Sequence, residues 1–240
     1  MVSHGLHDRV LSELGRSIVG GRRPEGQVLR IDQLELEFGV SRSVMREVVR
    51  VLVSMNLVSS RRSVGITVRG NATWNPYDPQ IIRWRLAGPD RVQQLQSLGE
   101  LRAAIEPIAA ELAAARARPE HCGELTRAVI GMSVAVKADD LESFLTHDVM
   151  FHRVLLVASG NEMFAGLSTV AEEILKGRAE HHLMPEPPER SAIDLHLAVA
   201  MAIQSGDGKS ARAAIEAILE DTNRTIEVAT GWAQQSSQLG

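Results

Sequence analysis

Asp148 and His152 stand four residues apart in THDVMFHRVLLVASGN, residues 146–161, a run otherwise suited to a protein core. On a helix this spacing stacks both side chains on one face with Leu155 and Ser159, so a carboxylate and an imidazole point where burial is expected. They either satisfy each other or face a cavity. Arg102 and Glu106 repeat the spacing in LRAAIEPIAAELAAARARP. They form either a surface pair or a recognition group, in which the guanidinium takes a carboxylate with two parallel bonds and the Glu accepts from hydroxyls. A third set, Arg42, Arg46 and Arg50, recurs every four residues in SRSVMREVVRVLV. Its chemistry is contact with phosphates and guanine edges.

The arginines need a helix with an apolar back. Val44, Val48, Val49, Leu52 and Val53 supply an inward face, and Ser41 is a suitable N-cap. Before it, the pattern of Leu6 to Val19 predicts one helix and Ile31 to Phe38 a second, ended by Gly39. Two helices joined across a short Gly-containing turn form a helix-turn-helix. LVSSRRSVGITVR then alternates and turns at Ser63 to Gly65, as a two-stranded wing with Arg61 and Arg62 available for phosphate. Residues 1–70 hold 11 Arg and no Lys against 7 Asp and Glu, a net of +4, while the remainder holds 15 basic against 23 acidic residues, a net of −8. A basic module joined to an acidic one fits a nucleic-acid-binding domain attached to a domain that stays off the phosphates; a merely solvated face is the alternative.

Residues 71–94 contain Trp74, Tyr77 and Trp84, in a chain with three Trp and one Tyr, and predict a short helix from Pro79 to Leu86 between turns. These aromatics are read as packing the basic module against the second domain, with a stacking platform for bases as the weaker alternative. From there to residue 235 helical patterns follow one another, broken by loops at Arg118 to Cys122, Lys137 to Asp139, Gly160 to Asn161, MPEPPER and Gly206 to Gly208. The expectation is a mainly α protein: an N-terminal winged helix-turn-helix (1–70), a linker (71–94) and an all-α bundle of six or seven helices (95–235), with a kink at Pro107. Ser191 and Asp194 read as a capping box, which puts His196 in the second turn of a helix. No run approaches the roughly 20 apolar residues of a membrane helix, and the single Cys122 is read as a passive small residue. A cytoplasmic location is expected.

The stretch VSRSVMREVVRVLVSMNLVSSRRSVGITV resembles the winged helix-turn-helix of the GntR family of transcription regulators. It departs from the family in GQVLRIDQLEL, where Arg30 and Asp32 replace a more usual Leu-Pro-Ser-Glu. LRAAIEPIAAELAA, DVMFHRVLLVASGN and HLAVAMAIQSGDGKSARAAI are similar to the effector domain (FCD) of the FadR branch of that family. The resemblance implies DNA contacts at Arg30, Ser41, Arg42, Ser43, Arg46, Arg50, Arg61, Arg62 and Gly65. It also implies a divalent metal, with zinc the best match, held by Asp148, His152 and His196. The family's fourth ligand, a His 11 residues beyond Asp207, is Ile218 here, with Glu216, Glu220 and Asp221 nearby. Within the branch the pattern looks most like repressors of galactonate operons, which implies a sugar acid as effector.

An aldonate offers a carboxylate to Arg102 and hydroxyls to Asp148 and Glu106; His152 and His196 serve either as metal ligands or as sugar contacts. Asn161, Arg178, Asn223 and Arg224 are further candidates for the effector site, though each also suits an ordinary surface position. The expected partners are double-stranded operator DNA, a small acid effector and a second copy of the chain, since palindromic operators call for two recognition helices. Lactate or a dicarboxylate is the alternative effector. A metal-dependent hydrolase or isomerase is the alternative class, but it leaves the N-terminal module unused.

Overall fold

The computed structural model describes residues 2–61, 64–180 and 190–230. The elements are α1 (Val2–Val19), β1 (Val28–Leu29), α2 (Ile31–Phe38), α3 (Arg42–Ser54), β2 (Val58–Arg61), β3 (Gly65–Val68) and α4 (Pro79–Leu86). They continue with α5 (Arg91–Arg116), α6 (Pro119–Ala138), α7 (Leu141–Ala158), α8 (Glu162–Gly166), α9 (Ser168–Glu180), α10 (Arg190–Ser205) and α11 (Gly208–Thr230). The chain divides into two compact units, Met1–Arg91 and Val92–Gly240.

In the first unit α2 and α3 form the helix-turn-helix. Gly39 ends α2 in the left-handed conformation (φ 63°), where a Cβ would be strained. Ser41 occupies the extended N-cap position of α3, but its hydroxyl meets Ser43 Oγ at 2.9 Å instead of capping the helix. The buried face of α3 is Met45, Val48, Val49 and Leu52. Met45 therefore takes a place expected of Val44, and Val53 is 38% exposed. The i, i+3, i+4, i+7 register is filled by the four residues that point at α1, and Val53 falls outside that stripe. The wing is a three-stranded antiparallel sheet in the order β1-β3-β2, with Val28 opposite Thr67 and Ser60 opposite Ile66. The two-residue β1 leaves no alternation to read in the sequence.

The core of this unit joins Leu14 and Ile18 of α1, Leu34, Leu52 and Ile66 to Ile81 and Trp84 of α4. Helix α4 starts where expected: Asp78 Oδ1 accepts from the amides of Gln80 and Ile81, and Pro79 fills the first turn, where its missing N–H costs nothing. Trp84 is buried because Gly15 of α1 leaves room, since a Cβ there would lie 2.3 Å from the indole ring. Trp74 Nε1 donates to Arg69 O at 2.9 Å. These contacts fasten the aromatic segment after the wing onto the first unit.

The second unit contains seven helices among the described residues. Helix α5 runs through Pro107 without a break, and Ala109, Ala110 and Ala113 are fully buried along it, so its neighbours approach closely. Helix α6 packs on α7 and α10, α7 on α9, and α10 on α11. Leu125, Met132, Phe151, Leu155, Val199, Ile203, Ile215 and Leu219 fill the space between them. The loops predicted from sequence are present at Arg118, Asp139, Gly160 and Gly206, with Asp139 (φ 55°) and Gly206 (φ 77°) left-handed at helix ends. Arg190 and Ser191 are already helical, so Ser191 is inside α10 and not at its N-cap. The proline run at 184–189 lies outside the described residues. No helix among the described residues is long and apolar enough to cross a membrane.

Candidate functional site

Two sites emerge, one in each unit. In the first unit a hollow of about 1170 Å³ opens between α2, α3 and the wing, lined by Arg30, Arg42, Arg46, Arg50 and Arg61 together with Asp32. Arg50 Nη1 is 2.6 Å from Glu47 Oε1, and Arg42 Nε is 4.0 Å from Glu35 Oε1. Arg46 and Arg61 carry no ion pair among the described residues, so both are free to meet phosphates. Gly65 opens β3 at φ 102°, a conformation that L side chains rarely adopt, and also lines the hollow. Ser41 and Ser43 are exposed at the start of α3. Arg62 lies outside the described residues.

In the second unit α5, α7 and α10 bring together five buried polar side chains: Arg102, Glu106, Asp148, His152 and His196. Glu106 is the hub. Its Oε1 accepts from Arg102 Nε at 2.6 Å, and its Oε2 lies 3.1 Å from Arg102 Nη2 and 2.9 Å from His152 Nδ1. The sequence suggested i,i+4 pairs within each helix; the structure joins the two pairs across 50 residues, with Arg102 Nη2 also 3.2 Å from His152 Nε2. Phe151 packs edge-on against both imidazoles, with ring centroids 5.7 Å from His152 and 4.8 Å from His196.

Hydrogen-bond bookkeeping fixes what the imidazoles present. Ala192 O can only accept, so His196 Nδ1, 2.6 Å away, donates to it and leaves Nε2 facing Asp148 Oδ1 at 3.2 Å. That buried Nε2 makes no hydrogen bond among the described residues. Likewise Glu106 takes the proton of His152 Nδ1, and His152 Nε2 lies 3.4 Å from the same Asp148 oxygen. With both imidazoles neutral, two Nε2 lone pairs, that of His152 also facing Arg102 Nη2, converge with a carboxylate oxygen and repel it unless protons or a cation sit among them. Ligand atoms of the three residues all lie within 4.8 Å of one another. Ligands 2.0–2.1 Å from a tetrahedral zinc are about 3.3 Å apart, close to the two separations found here. Glu106 on the outer nitrogen of His152, and Ala192 O on that of His196, are the supports that metal-bound histidines usually have. The residues therefore fit a divalent ion.

Burial alone would raise the pKa of Glu106, but Arg102 and His152 beside it hold it at about 2. Burial would likewise raise Asp148, yet His152 and His196 beside it, which attract the carboxylate whenever a proton sits on the facing nitrogen, keep it well below the usual carboxylate range. Burial lowers His152 and Arg102 opposes it too, but Glu106 and Asp148 outweigh both and the pKa is raised. Arg102 is raised, with burial opposed by Glu106 and Asp148. With both imidazoles neutral the five side chains carry one positive and two negative charges, which is an environment for a cation or for protons. Arg102 Nη1 is buried with no partner among the described residues, a donor ready for a ligand.

Other sequence candidates fare differently. Asn161 caps α8, accepting from Met163 N at 3.0 Å, so its amide oxygen is engaged at the helix end. Arg224 points to solvent, 70% exposed and 3.9 Å from Asp221, because its position on α11 faces away from the core. Asn223 is half-buried, and its Oδ1 lies 2.9 Å from where a Cβ of Gly99 would be, one turn before Arg102 on the same face of α5. Gly99 therefore admits the Asn223 amide against α5, a role the sequence did not disclose. Arg178 lies on α9, its side chain outside what is described. Ile218, at the position of the family's fourth metal ligand, is a buried apolar residue of the core.

Comparison with known proteins assigns a family to each unit. Residues 6–68 match the bacterial regulatory proteins of the gntR family, and residues 97–221 match the FCD domain. The chain is 28% identical over 224 residues to the galactonate operon transcriptional repressor of Escherichia coli K12, covering 92% of this chain and 97% of that protein. It is 30% identical over 201 residues to the putative L-lactate dehydrogenase operon regulatory protein of the same organism, covering 81% and 76%. A solved structure, E. coli McbR/YncC, shares the fold with a TM-score of 0.55 at 19% identity, covering 94% of this chain and 98% of that one. The chain belongs to the GntR family of DNA-binding transcription regulators, in the FadR branch that carries an FCD effector domain, and is not an enzyme.

Proposed function

We propose that this regulator is a repressor of sugar-acid catabolic genes, released from its operator when an aldonate of the galactonate or gluconate type enters the second unit. The observation that carries the reading is the unpartnered, buried Nη1 of Arg102 beside the convergent Asp148, His152 and His196. Arg102 would take the acid's carboxylate, and Glu106, Asp148 and Asn223 would accept from its hydroxyls. Asp148, His152 and His196 would hold a divalent ion, zinc suiting the donor set best, which when bound supplies a Lewis-acidic position for an anionic ligand. Its charge would also turn a site of net −1 into one that attracts an acid. The name of the E. coli galactonate relative supports a sugar acid, and that of the lactate relative supports a small hydroxy acid as the second reading.

Arg30, Arg42, Arg46, Arg50, Arg61 and Gly65, which line one hollow, form the proposed operator-facing surface together with the exposed Ser41 and Ser43 at the start of α3. The chain would act as a homodimer in the cytoplasm. Ile130 and Val134 on α6, and Leu197 and Met201 on α10, are 41–60% exposed at i,i+4 spacing on two helices that pack together, an apolar surface suited to a second copy.

The test is thermal unfolding against galactonate, gluconate, lactate and dicarboxylates, each with and without chelator. An acid at about 100 times its dissociation constant adds about 2.7 kcal/mol, or roughly 5–10 °C for a chain of this size. A shift with one sugar acid that chelation abolishes is the expected result; no shift with any acid would sink the reading.

A further inference from the structure

The arginine-lined hollow of the first unit contains one carboxylate, Asp32, in the first turn of α2. Its side chain is 62% exposed, and Arg30 Nε lies 3.4 Å from its Oδ1. A carboxylate on a surface that must meet a polyanion is electrostatically unfavourable wherever it faces phosphate. It is tolerated in the major groove only against a hydrogen-bond donor, and the amine of cytosine is the donor to which Asp and Glu are matched. The accompanying arginine fits the other half of the same base pair. With Nε turned to Asp32, the two terminal amines of Arg30 are free to fork onto O6 and N7 of guanine.

We propose that Asp32 and Arg30 act together as a specificity-determining pair. It demands a C·G base pair at one position of each operator half-site and disfavours all other DNA. Arg30 adds affinity for any duplex, whereas Asp32 subtracts it, so the pair trades total affinity for discrimination. The proposal rests on the reading that this hollow faces the duplex. That reading has its own check, because Arg46→Ala and Arg61→Ala must each weaken binding to every sequence.

The experiment selects bound duplexes from a randomised pool with the intact protein and with Asp32→Ala, Asp32→Asn and Arg30→Ala, then measures affinity for the selected and for random duplexes. The wild type should require a C·G pair whose replacement by A·T costs about 5- to 100-fold. Asp32→Ala and Arg30→Ala should both relax that same position to under about threefold. Their effects on random-sequence affinity should have opposite signs. Asp32→Ala should raise it about threefold, as expected for removing a like charge some 7 Å from a phosphate in near-aqueous surroundings, and Arg30→Ala should lower it. Asp32→Asn should raise it as Asp32→Ala does, with intermediate discrimination. Asp32 also sits at the positive end of α2, so a purely structural role predicts only a slightly lower melting temperature. Unchanged discrimination in Asp32→Ala, or unchanged random-sequence affinity, overturns the proposal.

Discussion

Replacing Glu106 by Ala removes the hub of the buried cluster. One carboxylate, fully buried, accepts from Arg102 Nε at 2.6 Å and meets Arg102 Nη2 at 3.1 Å and His152 Nδ1 at 2.9 Å. Without it Arg102 keeps its charge in a dry interior, and removing one partner of such a pair typically costs about 3–5 kcal/mol. At a urea dependence of about 2 kcal/mol per molar, the unfolding midpoint of the second unit should fall by about 2 M. Removing both partners behaves differently, since no buried charge is stranded: Glu106→Leu with Arg102→Met should cost less than Glu106→Ala alone. The assay is urea unfolding of the full chain, reading the second unit's transition by circular dichroism. A loss under about 0.5 kcal/mol in Glu106→Ala, or a double variant that loses the sum of the singles, would show that the carboxylate does not sit in a dry, paired site.

Stability should also depend on pH in two windows. Glu106 is held at about 2 against an ordinary value near 4.5, so its contribution is complete above about pH 4.5 and lost as pH falls toward 2; Glu106→Gln should flatten this acid limb. His152 is raised, so its contribution is complete below about pH 6.5 and lost as pH climbs through its folded value; His152→Gln should flatten that limb, and a wild-type midpoint constant from pH 6 to 9 would contradict the pairing. Val134→Glu with Met201→Glu should convert a dimer into a monomer in sedimentation, and an unchanged mass would place the interface elsewhere.

Elements with a strong local cause were legible in the sequence. Asp78 and Pro79 set the start of α4, Gly39 the end of α2, and the arginine spacing the outer face of α3. Asp148 and His152 were recognisable from spacing alone, while His196 depended on family resemblance, because nothing local brings α10 to α7. What stayed hidden depends on contacts distant in the chain. Glu106 bridging to His152, Gly99 yielding space to Asn223 and Gly15 to Trp84 have no periodic signal, since each depends on how two helices meet. Asn161 is the opposite case. An Asn directly before a helical run is a cap signal, and Asn161 fills that role at α8. Ser41 shows that the right position does not guarantee the bond, because Ser43 offers its hydroxyl a nearer partner.

The most direct test of the account is linkage between the two units. A duplex selected by the protein is titrated with the intact regulator at zero and saturating sugar acid, and the acid's affinity is measured with and without that duplex. If the acid bound around Arg102 releases the operator, operator affinity should fall about tenfold or more, and the acid's affinity should fall by the same factor when DNA is bound. An acid that binds the cluster tightly while leaving operator affinity unchanged would contradict the account, because binding in the second unit would then carry no message to the first.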